Sequence, residues 1–168
     1  DSDEYQYMIA ALVADTRRNN LIVDDVIAQT HSSGDWIALV ISDRVAHCEE
    51  LHAIIASKGT DAFLLTGSIP IQKRSEIVRD LNNANNCVIV ATSQLIGEGF
   101  DLKHLSSIFL ATPIKFTGRV KQYIGRILRV TDGKDHALIY DYVDENGMLK
   151  SSFQSRLSAY RDMGVKIE

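Results

Sequence analysis

The chain has 168 residues, 45% of them hydrophobic, and a formal net charge of −4. That length supports one domain with a real core. The acidic balance argues against a protein that grips DNA by bulk positive charge, but does not exclude one that holds a phosphate backbone with main-chain amides and a few side chains.

In Asp3 to Arg18, Tyr5, Met8, Ile9, Leu12 and Val13 recur at helical spacing, and Asp3 with Gln6 resembles a capping box. A second helix is expected over Leu21 to Thr30, stopped by Gly34. Trp36 to Ile41 is a continuous apolar run, the mark of a strand covered on both faces. Ser42-Asp43-Arg44 makes its exit turn. The pattern of Val45 to Lys58 predicts a helix with Val45, Cys48, Leu51, Ile54 and Ile55 inward and Gly59 as its C-cap. Ala62 to Leu65 is the next strand and Thr66-Gly67-Ser68 its exit loop. Ser68 is the expected N-cap of a helix with Pro70 in its first turn, running to about Leu81. After a polar turn from Asn82 to Asn86, Cys87 to Ala91 is a buried-strand run, followed by a Thr92-Ser93 turn and a loop from Gly97 to Asp101. Ser107 to Ala111 is a strand, and a basic helix carrying Gln122, Arg126 and Arg129 follows. Thr131-Asp132-Gly133 turns the chain into a strand from His136 to Val143. A loop from Asp144 to Gly147 leads to a last helix, Ser151 to Met163, with Phe153, Leu157 and Tyr160 inward.

Strands and helices alternate with short links, which calls for an α/β fold: a mostly parallel sheet with helices on both faces, in three layers. In such a sheet ligands sit beyond the carboxyl ends of the strands. The exits here are Ser42-Asp43-Arg44, Thr66-Gly67, Thr92-Ser93 and Thr112-Pro113. Hydroxyls and free amides along one rim suit a sugar-phosphate chain, although each such residue taken alone is an ordinary turn former. At about 100° per residue, Gln122, Arg126 and Arg129 fall within roughly 60° of one another. Val120, Ile124, Ile127 and Leu128 occupy the other side of that helix. A guanidinium is a planar, permanently charged donor set that matches a phosphoryl group gaining charge.

Cys48 and Cys87 stand in apolar patterns and read as reduced core thiols of a cytoplasmic protein. His31, His47, His52, His104 and His136 lack metal-ligand spacing, so no metal site is expected. Asp141 and the Asp144-Glu145 pair follow an apolar strand, but no phosphate-binding loop precedes them, and they read as a strand-end turn. There is no signal peptide or long apolar span, so no membrane contact is expected. The start at Asp1, without Met, suggests part of something larger.

The segment VATSQLIGEGFDL, Val90 to Leu102, resembles motif V of superfamily 2 helicases, and QYIGRILR, Gln122 to Arg129, resembles motif VI, Q-x-x-G-R-x-x-R. Both belong to the C-terminal RecA-like (P-loop NTPase-like) domain of DEAD/DEAH-type, restriction-enzyme-like DNA/RNA helicases. The resemblance covers nearly all of residues 1–168, with 1–33 as N-terminal helices and 150–168 as the C-terminal helix. It implies that Arg126 and Arg129 are arginine fingers and that Gln122 approaches the γ-phosphate or the attacking water. Gly99 and Asp101 are implied to lie near the nucleotide, Asp101 toward the ribose. Ser42 and Arg44 fall where motif IV lies, Thr66-Gly67 with Arg74 looks like the glycine-containing motif after it, and Thr92 matches the motif V threonine that touches nucleic-acid phosphate. Gln122 stands where the DEAD-box form H-R-x-G-R-x-x-R has histidine, and Tyr123 where it has its first arginine.

No stretch reads G-x-x-x-x-G-K-[ST], since Gly133-Lys134 is followed by Asp135. ATP and Mg²⁺ are therefore implied to be held mainly by an upstream RecA-like domain, and the chain alone is not expected to hydrolyse ATP. The resemblance implies DNA or RNA as its track, DNA favoured. Two other readings stay open: the translocase part of a type I or type III restriction enzyme, and a standalone α/β binding module.

Overall fold

The computed structural model describes residues 2–67, 69–84, 86–97, 102, 105–127 and 137–168. The chain runs α1 (Ser2–Ala14), α2 (Thr16–Gln29), β1 (Trp36–Ser42), α3 (Val45–Ser57), β2 (Ala62–Leu65), α4 (Ile71–Asn83), β3 (Asn86–Thr92), α5 (Ser93–Gly97), β4 (Leu105–Leu110), α6 (Gly118–Ile127), β5 (Leu138–Asp141) and α7 (Gly147–Asp162).

The five strands form one sheet in the order β2-β3-β1-β4-β5, and every pairing is parallel. Alternation along β1 explains its place near the centre. Ile37, Leu39 and Ile41 point into one core with Leu81, Leu95, Val120, Ile124 and Ile127. Trp36, Ala38 and Val40 point into the other with Ile22, Val23, Val26, Cys48, Leu51 and Ile55. A strand apolar on both sides is satisfied only between two helical layers. Here α2 and α3 cover one face, and α4, α5 and α6 the other. The three-layer α/β architecture expected from the sequence is the one observed, with all strand exits on one edge.

Local boundaries differ where capping chemistry intervenes. The run Asp3 to Arg18 is not one helix, because the Asp15 carboxylate accepts from the Arg18 N–H at 3.0 Å and starts α2. An Asp side chain competes with the helical ladder in mid-helix and stabilises it at an N-cap. Pro70 lies before α4 in an extended conformation (ψ 144°), so it caps the helix instead of sitting in its first turn. Asn146 accepts from the Met148 N–H at 3.1 Å and starts α7 at Gly147, ahead of the expected Ser151. Residues 93–97, expected as turn and loop, form the short helix α5.

Two buried arginine clamps fasten the β5 end of the molecule. Arg18 donates to both oxygens of Asp144 at 3.0 Å and to the Ala111 carbonyl. Arg156 donates to both oxygens of Asp141 at 2.7 and 2.9 Å, and the Tyr160 hydroxyl donates to the same carboxylate at 2.7 Å. Burial, then the Asp141 charge, drives the Tyr160 phenol upward. Asp141 and Asp144 are thus structural anchors at the strand end. The Arg156 and Asp141 side chains are only 3% and 9% exposed, and removing one partner of such a pair leaves an uncompensated buried charge. Asp141→Ala is expected to cost about 3–5 kcal/mol of stability, measurable by denaturant unfolding. A loss below about 1 kcal/mol contradicts the anchoring role.

Candidate functional site

The carboxyl edge of the sheet is held by polar groups in tight register. At the β1 exit, Ser42 is fully buried and its Oγ lies 2.9 Å from His47 Nδ1. The Arg44 N–H donates to that same Oγ at 3.2 Å. On the other side of the ring, His47 Nε2 lies 2.8 Å from Asn19 Oδ1, while Asn19 Nδ2 donates to the Val13 carbonyl at 3.0 Å. Asn19 Oδ1 can only accept, so Nε2 carries the proton, and Nδ1 accepts from the Ser42 hydroxyl. The imidazole is neutral: burial, then the nearby Arg18 charge, push it down to about 4.

Asp43 links three strand exits. Its N–H donates to Thr112 Oγ1 beyond β4 at 2.9 Å, and its carboxylate accepts from the Ser93 hydroxyl beyond β3. Neither this bridge nor the Asn19–His47–Ser42 lock is foreshadowed by sequence pattern. The only hint is a polar residue, His47, on the apolar face of α3.

The residues singled out in the sequence are placed as follows. Ser42 lies beneath the turn with its hydroxyl engaged. Arg44 is half-buried and its guanidinium donates to Gln6 of α1. Thr66 is fully buried and its carbonyl accepts from the Ile69 N–H at 3.1 Å. Gly67 is exposed, lacks a positive φ, and an added Cβ meets only Gln94 Oε1 at an ordinary 3.6 Å. Among the described residues nothing demands glycine there, and the residue is exposed. Arg74 is half-buried near the start of α4. Thr92, the last residue of β3, pairs in register with Ser42 and is 7% exposed, and its buried Oγ1 has no hydrogen-bond partner among the described residues. A buried hydroxyl without a partner costs free energy, and such groups in native structures call for an explanation.

On α6, Val120, Tyr123, Ile124 and Ile127 are buried while Gln122 and Arg126 are exposed. The Arg126 guanidinium carbon lies 5.5 Å from the centre of the Tyr123 ring. α6 shares its core with Leu95 of α5, so the segment leaving β3 and the Gln122–Arg126 helix are packed together. Arg129, Gly99 and Asp101 lie outside the described residues, as does Ser68.

Residues 19–131 match the family model for the helicase conserved C-terminal domain. The chain belongs to that family. Among curated relatives it is 24% identical over 128 residues to the probable helicase D10 of Escherichia phage T5, covering 76% of this chain and 28% of that protein. It is 25% identical over 152 residues to the ATP-dependent DNA helicase uvsW of Enterobacteria phage T4, covering 90% and 30%. The chain therefore spans under a third of the length of these relatives. The crystal structure of T4 UvsW superposes with a TM-score of 0.74 at 22% identity, over 95% of this chain and 35% of that one. The C-terminal domain of the DEAD-box protein Dbp5 superposes at 0.64 and 18% identity, over 92% and 82%. The helicase C-terminal domain read from motifs V and VI is thus a RecA-like C-terminal domain of superfamily 2. Among the described residues no acidic, histidine or cysteine cluster could hold a metal, and no helix is long and apolar enough to cross a membrane.

The His47 lock makes stability depend on pH. In the unfolded chain the imidazole titrates near 6.5, and in the folded chain near 4. The contribution of the neutral ring is therefore fully present above pH 6.5 and is lost as the pH falls through 4, amounting to at most about 3 kcal/mol. His47→Asn is expected to flatten the fall in unfolding free energy between pH 6.5 and 4.5. An unchanged slope in denaturant titrations contradicts the buried neutral lock.

Proposed function

We propose that this domain is the C-terminal half of an ATP-dependent nucleic-acid motor, which supplies phosphate-directed arginines to a nucleotide held mainly by an upstream RecA-like domain. The observation that carries this reading is the division of α6, in a chain of the helicase C-terminal family, into a buried apolar face and an exposed Gln122–Arg126 face. Packing has no use for that exposed face, and Arg126 forms no ion pair with a described residue.

Arg126, with Arg129 three residues on in the sequence, is an arginine finger that neutralises charge developing on the transferred phosphoryl group. Gln122 orients the γ-phosphate or the attacking water. Gly99 and Asp101 border the nucleotide. The donor set fits phosphate oxygens, whereas the described residues offer no carboxylate cluster for Mg²⁺. By the resemblance, and because the sequence has no G-x-x-x-x-G-K-[ST] loop, the metal and the phosphate cradle are assigned to an upstream domain, and the chain alone is expected to be inactive as an ATPase.

Thr92, the Thr66-Gly67 backbone and the Ser42–Arg44 turn line the nucleic-acid track. The Thr92 hydroxyl, unpartnered among the described residues, is a donor suited to a phosphate oxygen, and the exposed Gly67 backbone lets a strand come close. Arg44 and Ser42 act through the shape of the turn, given that their side chains are engaged within the protein. Backbone contacts carry no base information, so the track has no sequence preference. DNA is the favoured polymer because uvsW is named as a DNA helicase, and the setting is the cytoplasm.

Arg126→Ala in the full-length protein is expected to lower the ATPase rate about a hundredfold or more while nucleotide binding is retained. Wild-type ATPase in that variant contradicts the finger assignment.

A further inference from the structure

Where the DEAD-box pattern has its first motif VI arginine, this chain has Tyr123, and the structure turns it inward. Tyr123 is 3% exposed within the core that contains Leu95, Val120, Ile124 and Ile127. Its ring is therefore fixed by packing. Three residues on, Arg126 is exposed and holds its guanidinium carbon 5.5 Å from the ring centre, within the range where a cation is attracted to the π face of a tyrosine.

The chemistry of this contact differs from that of an ion pair. A carboxylate partner would occupy two of the five N–H donors of the guanidinium, and a phosphate would have to displace it. A ring face restrains the cation without accepting those donors, so they stay open to phosphate oxygens. It also limits the rotamers of a long, exposed side chain whose ordering otherwise opposes binding.

We propose that Tyr123 is a positioning residue for Arg126, its buried ring serving as the platform from which the guanidinium reaches the nucleotide phosphates. The inference rests on the finger reading of Arg126. It assigns to this position a task the arginine of the DEAD-box pattern cannot perform, because a second cation would repel Arg126.

The test is a double-mutant cycle on the ATPase of the full-length protein, with melting temperatures recorded for every variant. Tyr123→Leu and Tyr123→Met, which fill the site without a ring, should lower kcat about three- to thirtyfold. Tyr123→Phe should keep most of the rate, since it keeps the ring face. In an Arg126→Ala background, Tyr123→Leu should produce no further loss. A Tyr123→Leu loss of equal size with and without Arg126 overturns the proposal, because it marks a packing defect. So does a Tyr123→Phe loss as large as that of Tyr123→Leu. If Arg126→Ala alone keeps wild-type ATPase, the finger reading itself fails and takes the platform with it, an outcome the cycle separates from the others.

Discussion

A strand that is apolar on both faces has one stable environment, the interior of a sheet covered by helices on both sides. β1 meets that condition from Trp36 to Ile41 and β3 from Cys87 to Ala91, and the rest of the molecule follows from it. Both must be parallel to their neighbours because the helices that cover them are also the crossovers that connect them. Parallel strands bring every exit to the same edge. The polar residues of those exits, scattered from Ser42 to Thr112 in the chain, therefore converge along one rim.

Convergence alone would leave that rim loose. Asp43 ties the exits of β1, β3 and β4, and the neutral His47 ring locks the β1 turn against α2 through Asn19. These bonds engage the buried side chains of Ser42, His47, Asn19 and Thr112. Thr92 stands out against that background, with an oxygen the fold buries and leaves unpartnered among the described residues. On α6 the contrast is of another kind: its apolar side completes the core, and its exposed side carries Gln122 and Arg126, which the core does not need. Thr92, Gln122 and Arg126 all fall in the segments that resemble helicase motifs V and VI.

Strand positions were legible because a continuous apolar run such as WIALVI or CVIVA has few alternatives, and the parallel sheet was legible because helices separate those runs. Motifs V and VI were legible because their spacing places glycines, a threonine and arginines at fixed intervals. The clamps were not. Arg18 and Asp144 are 126 residues apart, and no local pattern announces a contact made only after the sheet has assembled. Nor did composition reveal that Ser42 would turn under its loop. A hydroxyl at a strand exit reads the same whether it faces a ligand or a buried histidine, and His47, which decides the matter, sits on a different element. The Asp15 break between α1 and α2 could have been read, since an Asp inside a helical run is a better cap than a helix former.

The central claim is that one edge of this sheet serves a nucleic-acid track and α6 serves a nucleotide. The most direct measurement is the ATPase rate of the full-length protein against rising concentrations of single-stranded and duplex DNA and RNA, with Thr92→Val beside the wild type. The account predicts a rate stimulated by nucleic acid, and a half-maximal polymer concentration that shifts upward in Thr92→Val although that variant is as stable as the wild type. An ATPase rate indifferent to every polymer, in a folded full-length protein, would contradict it.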